Sequence, residues 1–210
     1  MSLFHGGDIL SASQRYGIAA DQWLDLSTGI NPNPYPVSTI GPDISATAFE
    51  RLPYLQPEFV DSAMAYYNSA ELLAVPGSQC IIQALPSYLP ALPVILPELA
   101  YQEHVNAWRE SGAELQFYDA LEPDIAVAQI DNLLVRKPAQ HLVVVNPNNP
   151  SALQFSVEQL LVWAAQLSGG AQLIVDEAFI DTQAENSLLS RPLADNVIVL
   201  RSFGKFFGLA

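Results

Sequence analysis

Three short apolar runs in the second half of the sequence each end in residues able to do chemistry. Leu142-Val143-Val144-Val145 leads into Asn146-Pro147-Asn148-Asn149-Pro150, and Leu173-Ile174-Val175 into Asp176-Glu177-Ala178-Phe179. Val197-Ile198-Val199-Leu200 leads into Arg201-Ser202-Phe203-Gly204-Lys205. If the runs are strands of one sheet, their ends bring together an amide, a carboxylate and an amine. That set suits a Schiff-base cofactor built on a pyridine ring: the amine forms the imine, the carboxylate keeps the ring nitrogen protonated, and the amide donates to a phenolate oxygen. A protonated ring is what makes such a cofactor an electron sink. Its phosphate would need backbone amides at a helix start and a hydroxyl. Pro76-Gly77-Ser78-Gln79, ahead of an apolar helix, is a fitting cradle, and Ser202 a fitting hydroxyl.

Singly, several of these residues also have ordinary readings. Gly77-Ser78 is a common way for a loop to enter a helix, Asn149-Pro150 is a common turn, and Asp176-Glu177 reads equally as a solvated strand end or an N-cap. Lys205 is harder to set aside. It is one of two lysines in the sequence and sits among Phe203, Phe206 and Phe207, where a surface lysine gains nothing and an amine destined for imine chemistry is well placed. The other, Lys137, lies beside Arg136 and Pro138 in a polar connector and is expected to be solvated.

The elements that must position these groups follow from the pattern. Apolar runs without alternation are how strands covered on both faces read. Between the first two runs, Ser156 to Leu167 carries Val157, Leu160, Leu161 and Ala164 at helical spacing, with Ser156 and Glu158 as start signals. Strand, helix, strand implies an α/β fold: a three-layer sandwich around a mainly parallel sheet. Ligands of such sheets gather at the carboxyl ends of the strands. Residues 1–40 read as an extended arm, rich in turn formers such as Gly6-Gly7 and Asn31-Pro32-Asn33-Pro34-Tyr35-Pro36, and residues 41–210 as the large domain. From Ala46 to Tyr67 the spacing predicts helical segments broken around Pro53 and Pro57. Leu72 to Pro97 has no charged residue, yet Pro86, Pro90, Pro93 and Pro97 argue against a membrane span and for a buried helix, a loop and a short strand.

Composition narrows the partners. Twenty-two acidic against eight basic residues, a formal charge of -14, argue against nucleic acid and anionic membranes, which need clustered Lys and Arg. At 210 residues, half of them hydrophobic, the chain can bury a sizeable core. The single Cys80 and the lack of a charged-then-apolar opening segment point to a reducing cytoplasm. His104 and His141 lack the spacing and companions of a metal site, and no metal is expected.

Taken in order along the chain, these motifs resemble the class I/II aminotransferases of pyridoxal phosphate (PLP) fold type I. The resemblance implies that backbone amides of Gly77 and Ser78 bind the cofactor phosphate, with Ser202 contacting it. It implies that Tyr101 stacks on the ring, Asn149 donates to the phenolate oxygen, Asp176 pairs with the ring nitrogen, and Lys205 links covalently to the cofactor. Tyr54, in Tyr54-Leu55-Gln56-Pro57, resembles the tyrosine that reaches the phosphate of the neighbouring subunit in a homodimer. Within this superfamily His5-Gly6-Gly7-Asp8, Asp25-Leu26-Ser27-Thr28-Gly29-Ile30-Asn31-Pro32 and Asp176-Glu177-Ala178-Phe179-Ile180-Asp181 most resemble threonine-phosphate decarboxylases of cobalamin biosynthesis. Those enzymes make the aminopropanol phosphate linker of the corrinoid side chain, and the likeness places His5 and Asn31 at a phosphorylated amino-acid substrate. Histidinol-phosphate aminotransferases are the alternative, though they usually carry Tyr at the position of Phe179. The family pattern continues beyond Lys205 into a phosphate-binding arginine and a small C-terminal domain, which are absent here because the sequence stops at Ala210. A catalytically inert fragment is therefore the reading of a different class.

Overall fold

The computed structural model describes residues 6–40, 50, 52 and 54–210. Its elements are α1 (Ile9–Tyr16), a 3-10 turn at Ala20–Gln22, α2 (Val37–Ile40), α3 (Pro57–Tyr67), α4 (Ser78–Tyr88), β1 (Val94–Pro97), α5 (Gln102–Glu110), β2 (Leu115–Tyr118), α6 (Pro123–Arg136), β3 (His141–Val145), α7 (Val157–Gln166), β4 (Leu173–Asp176), 3-10 turns at Ile180–Asn186 and Leu188–Ser190, and β5 (Val197–Leu200). The strands form one five-stranded sheet in the order β2-β1-β3-β4-β5, and every neighbouring pair is parallel.

Alternate residues of the buried strands face opposite ways and build a separate core on each face. On one side Ile95, Leu142, Val144, Leu173 and Val175 meet Ala126, Ile130 and Leu134 of α6 and Leu160, Trp163 and Ala164 of α7. On the other, Val94, Leu96, Val143, Ile174 and Leu200 meet Ile82 of α4 and Val105, Ala107 and Trp108 of α5. The result is the three-layer α/β sandwich expected from the apolar runs. Each fully buried Leu, Ile or Val contributes about 1.5–3 kcal/mol, so the sheet and its covering helices dominate the stability. Local signals agree with this packing. Ser156 caps α7 by accepting from Gln159 N, and Trp163 Nε1 donates to Asp131 Oδ1 at 2.7 Å, tying α7 to α6.

The order of the strands sets where a ligand can enter. The chain runs from β1 outward through α5 to β2, then returns through α6 to β3 on the other side of β1, so the winding reverses between β1 and β3. Those two strands pair only at Val94↔His141 and Ile95↔Leu142 and part before the carboxyl end of β1. A crevice opens there.

Some expectations are corrected. The break around Pro57 takes the form of a helix start: Gln56 is extended and Pro57 occupies the first turn of α3, where its missing N–H costs nothing. The expected break at Pro53 and the start of that stretch, Ala46 to Phe49, lie outside the described residues. In the uncharged stretch the helix is α4, buried at Ile82 and Pro86 rather than all round, followed by β1. Strand β2 has no apolar run to mark it, because Leu115-Gln116-Phe117-Tyr118 lies at the sheet edge with only Tyr118 buried. Among the described residues no helix is long and apolar enough to cross a membrane.

Candidate active site

Asp176 ends β4 inside the crevice, 4% exposed. Its Oδ1 accepts from Ala178 N at 3.0 Å and its Oδ2 lies 2.9 Å from His104 Nε2. A carboxylate only accepts, so Nε2 carries the hydrogen of that pair. His104 belongs to the site although the sequence reading weighed it only as a metal ligand. The signal in the sequence is its position three residues after Tyr101, which precedes α5, so that the two rings meet at the start of that helix. The two rings meet edge-on with centroids 6.4 Å apart. Tyr101 is fixed in turn by donating its hydroxyl to Gln79 Oε1 at 2.9 Å, and burial holds the phenol above its ordinary pKa.

Lys205 lies in the loop after β5, and its Nζ sits 5.6 Å from the centroid of the Phe179 ring. The apolar partner of the amine is therefore Phe179, on the loop after β4. Phe203, Phe206 and Phe207 instead pack among themselves and against Tyr35 and Tyr66, with Phe207 at the centre. The arm closes over this loop: Asn31 N donates to Lys205 O at 3.0 Å, Tyr35 N to Phe207 O at 2.7 Å, and Asn31 Nδ2 to Phe206 O at 2.8 Å. Gly29 completes the contact, since a Cβ there would fall 2.6 Å from Phe179 Cε1.

The asparagines after β3 divide their work. Asn146 exchanges hydrogen bonds with the backbone of Phe155, and Asn148 donates to Leu99 O and Ser151 Oγ, so both hold the loop shut. Asn149 is left exposed on the crevice. At the start of α4, Gly77 has φ +82°, and among the described residues no atom beyond its chain neighbours lies within 4 Å of where its Cβ would be and no side chain caps the helix. Its backbone is open to an incoming group, as helix N-termini that bind phosphate require.

Gly77, Ser78, Tyr101, Asn149, Asp176, Ser202 and Lys205 all line one cleft of about 1430 Å³. A buried carboxylate, an amine resting on an aromatic face, an exposed amide and an open helix start fit a phosphorylated pyridine aldehyde. Other expected contacts lie elsewhere. Tyr54 is 66% exposed and is not part of the cleft wall. Asn31 has both ends of its amide engaged, with Oδ1 accepting from Asn33 N at 2.9 Å. His5 lies outside the described residues. Lys137 is exposed and paired with Glu114 at 3.8 Å.

At the wall of the cleft Arg201 centres a charged cluster that no local sequence pattern marks. The Arg201 side chain, 10% exposed, donates from Nη1 to Glu177 Oε2 at 3.3 Å and Ser187 Oγ at 3.2 Å, and from Nη2 to Asp181 Oδ1. Burial pushes the Glu177 carboxyl up, against the hydrogen bonds from Ser187 and Leu188 N and the charge of Arg201, which pull it down.

Residues 23–210 match the family model for aminotransferase class I and II. Over 209 residues the chain is 40% identical to a threonine-phosphate decarboxylase of Pseudomonas aeruginosa, an alignment that takes in 99% of the chain and 59% of that relative. The chain thus spans about three-fifths of the relative's length. Among solved structures, the histidinol-phosphate aminotransferase of Clostridium acetobutylicum superposes with a TM-score of 0.68 at 21% identity, covering 87% of this chain and 56% of the other. The histidinol-phosphate aminotransferase of Sinorhizobium meliloti, solved in complex with pyridoxal-5'-phosphate, superposes with a TM-score of 0.59 at 23% identity, covering 78% of this chain and 47% of the other.

Proposed function

The chain belongs to the class I and II aminotransferase family, and on that footing we propose that it is the PLP-binding part of a threonine-phosphate decarboxylase, releasing carbon dioxide from L-threonine O-3-phosphate to leave aminopropanol phosphate for cobalamin biosynthesis. The observation that carries this reading is the placement of Asp176 and Lys205 after adjacent parallel strands, facing one cleft. The 40% identity to a threonine-phosphate decarboxylase favours this chemistry over transamination.

In this reading the residues of the chain divide the work. Amides of Gly77 and Ser78 and the hydroxyl of Ser202 hold the cofactor phosphate, and the ring of Tyr101 lies against the cofactor ring. Asp176, oriented by the N–H of His104, would hold a proton on the ring nitrogen, and Asn149 would donate to the phenolate oxygen. Lys205 would hold the cofactor covalently, and its amine, when free, would return a proton to the substrate carbon that loses its carboxylate. When bound, PLP supplies the electron sink. His5 contacts the phosphorylated substrate, and Asn31, its amide engaged by Phe206 O and Asn33 N, holds the arm against the Lys205 loop. Two copies associate, and Tyr54, exposed and away from its own cleft, reaches the phosphate in the partner's. The exposed free thiol of Cys80 suits a reducing cytoplasm.

The test begins by mixing the chain with PLP, reducing with borohydride and mapping the modified peptide, with Lys205→Ala as control. A label on Lys205 that the substitution abolishes is expected; a label only on Lys137, or none, overturns the site. Threonine phosphate should then yield carbon dioxide without a keto acid. Keto acid formation would make the protein an aminotransferase instead.

A further inference from the structure

The loops carrying Asp176 and Lys205 leave the sheet side by side, and the last ladder bond between them is Glu177 N to Leu200 O at 2.9 Å. Beyond that bond the tie between the β4 loop and the start of the β5 loop is the Arg201 fork. Its two carboxylate partners lie close in sequence to residues of the site: Glu177 follows Asp176 and Asp181 lies two residues after Phe179, on which the Lys205 amine rests, while Arg201 itself precedes Ser202. The fork is also held from outside the sheet. The guanidinium lies 4.9 Å from the centroid of the Tyr67 ring, and Tyr66 donates to Asp181 Oδ1 at 3.3 Å, so α3 backs the cluster.

Stability alone is a poor account of this cluster. Burying a guanidinium with two carboxylates costs desolvation that apolar side chains of the same volume would avoid. Two buried atoms, Arg201 Nε and Asp181 Oδ2, find no partner among the described residues, which adds to that cost. What the arrangement gains is direction. A planar fork engaging two carboxylates fixes where its backbone sits, as a lysine ammonium does not.

We propose that Arg201 is a positioning residue, whose grip on Glu177 and Asp181 sets the Lys205 loop at a fixed distance from Asp176. The inference rests on the PLP reading for its purpose, since an amine and a ring carboxylate must meet the same cofactor from opposite ends with little tolerance. Its structural content stands apart from the cofactor.

Arg201→Lys keeps the charge and loses the fork; Asp181→Asn keeps the shape and loses a charge. Amide hydrogen exchange of residues 202–209, measured on the chain without cofactor against β1 and β3 as internal reference, reads the loop directly. Several of those amides are bonded within the loop, including Gly208 N to Lys205 O at 3.2 Å and Leu209 N to Phe203 O at 3.1 Å. Arg201→Lys is expected to speed exchange there about tenfold while β1 and β3 keep wild-type protection. In the unreduced chain loaded with PLP, the pH midpoint of the cofactor absorbance should move by about one unit. Unchanged loop exchange, or exchange raised equally in loop and strands, overturns the proposal. If Arg201→Lys loses the strands altogether, Asp181→Asn decides by the same comparison. A wild-type chain that takes no PLP at Lys205 defeats the functional reading, and the exchange result still decides whether Arg201 fixes the loop.

Discussion

His104 Nε2 lies 2.9 Å from Asp176 Oδ2, and the two side chains are almost wholly removed from solvent. The pair joins α5 to the end of β4 across one core of the sandwich, so the orientation of the Asp176 carboxylate depends on a helix that packs two strands away. His104→Phe fills the same space without a donor and leaves a buried carboxylate oxygen unpartnered. It should destabilise the fold by about 2 kcal/mol in urea unfolding. PLP should also bind more weakly than to the wild type, read by absorbance titration, because the carboxylate loses the bond that aims it. A variant of wild-type affinity would show that Ala178 N orients Asp176 unaided.

How much of this was legible in the sequence depended on whether a residue announces itself by its neighbours in the chain. Asp176, Lys205 and Asn149 follow β-branched runs, and the rule that ligands meet strand ends selects them from the sequence as residues that the fold then places along one cleft. His104 and Arg201 act on residues 72 and 24 positions away, and no local pattern marks such pairs. The phenylalanines around Lys205 misled for the same reason. Proximity in sequence suggested an apolar cage, whereas the fold turns Phe207 toward Tyr35 and Tyr66 and brings Phe179 from another strand end beneath the amine. Strand β2 was hidden because an edge strand is buried on too little of its surface to read as an apolar run.

His141 predicts an acid-sensitive fold. Its Nε2–H donates to Pro90 O at 3.0 Å and its Nδ1 accepts from Gln172 N at 3.0 Å, so the neutral ring is fully used. Burial holds it below the ordinary value of 6.5, with the Pro90 bond opposing in part. Because the folded value is depressed, the unfolded chain takes up a proton first as the pH falls. The stability this histidine contributes is whole above 6.5 and is lost progressively below it, toward the folded value. Urea midpoints compared between neutral pH and about pH 5 should fall more for the wild type than for His141→Phe, which has nothing to protonate. Equal falls would place the acid sensitivity elsewhere.

Gly77 separates conformation from packing. At φ +82° an L side chain is strained, yet among the described residues a Cβ there would meet nothing within 4 Å beyond its chain neighbours. Gly77→Ala should therefore cost about 1 kcal/mol from backbone strain alone. If the phosphate of PLP lies against this backbone, the same methyl also stands in its way, and PLP affinity should drop by more than the loss of stability explains. Affinity that tracks stability alone would move the phosphate away from α4.

Gly29 is constrained in the opposite manner, by space rather than by conformation. Its missing Cβ would lie 2.6 Å from Cε1 and 2.8 Å from Cζ of Phe179, so Gly29→Ala forces the ring or the arm to shift. The ring is the floor under the Lys205 amine, and the arm is bonded to the same loop through Asn31 N to Lys205 O, so either shift disturbs the lysine. The expected cost is about 1–3 kcal/mol, as for other overpacked contacts, together with a lower yield of PLP trapped on Lys205. A double-mutant cycle isolates the cause. In a Phe179→Ala background the new methyl finds the room the ring has vacated, and most of the cost of Gly29→Ala should vanish. A cost that persists in full would mean that the arm at residue 29 is held by its own backbone and not by the aromatic ring beneath the lysine.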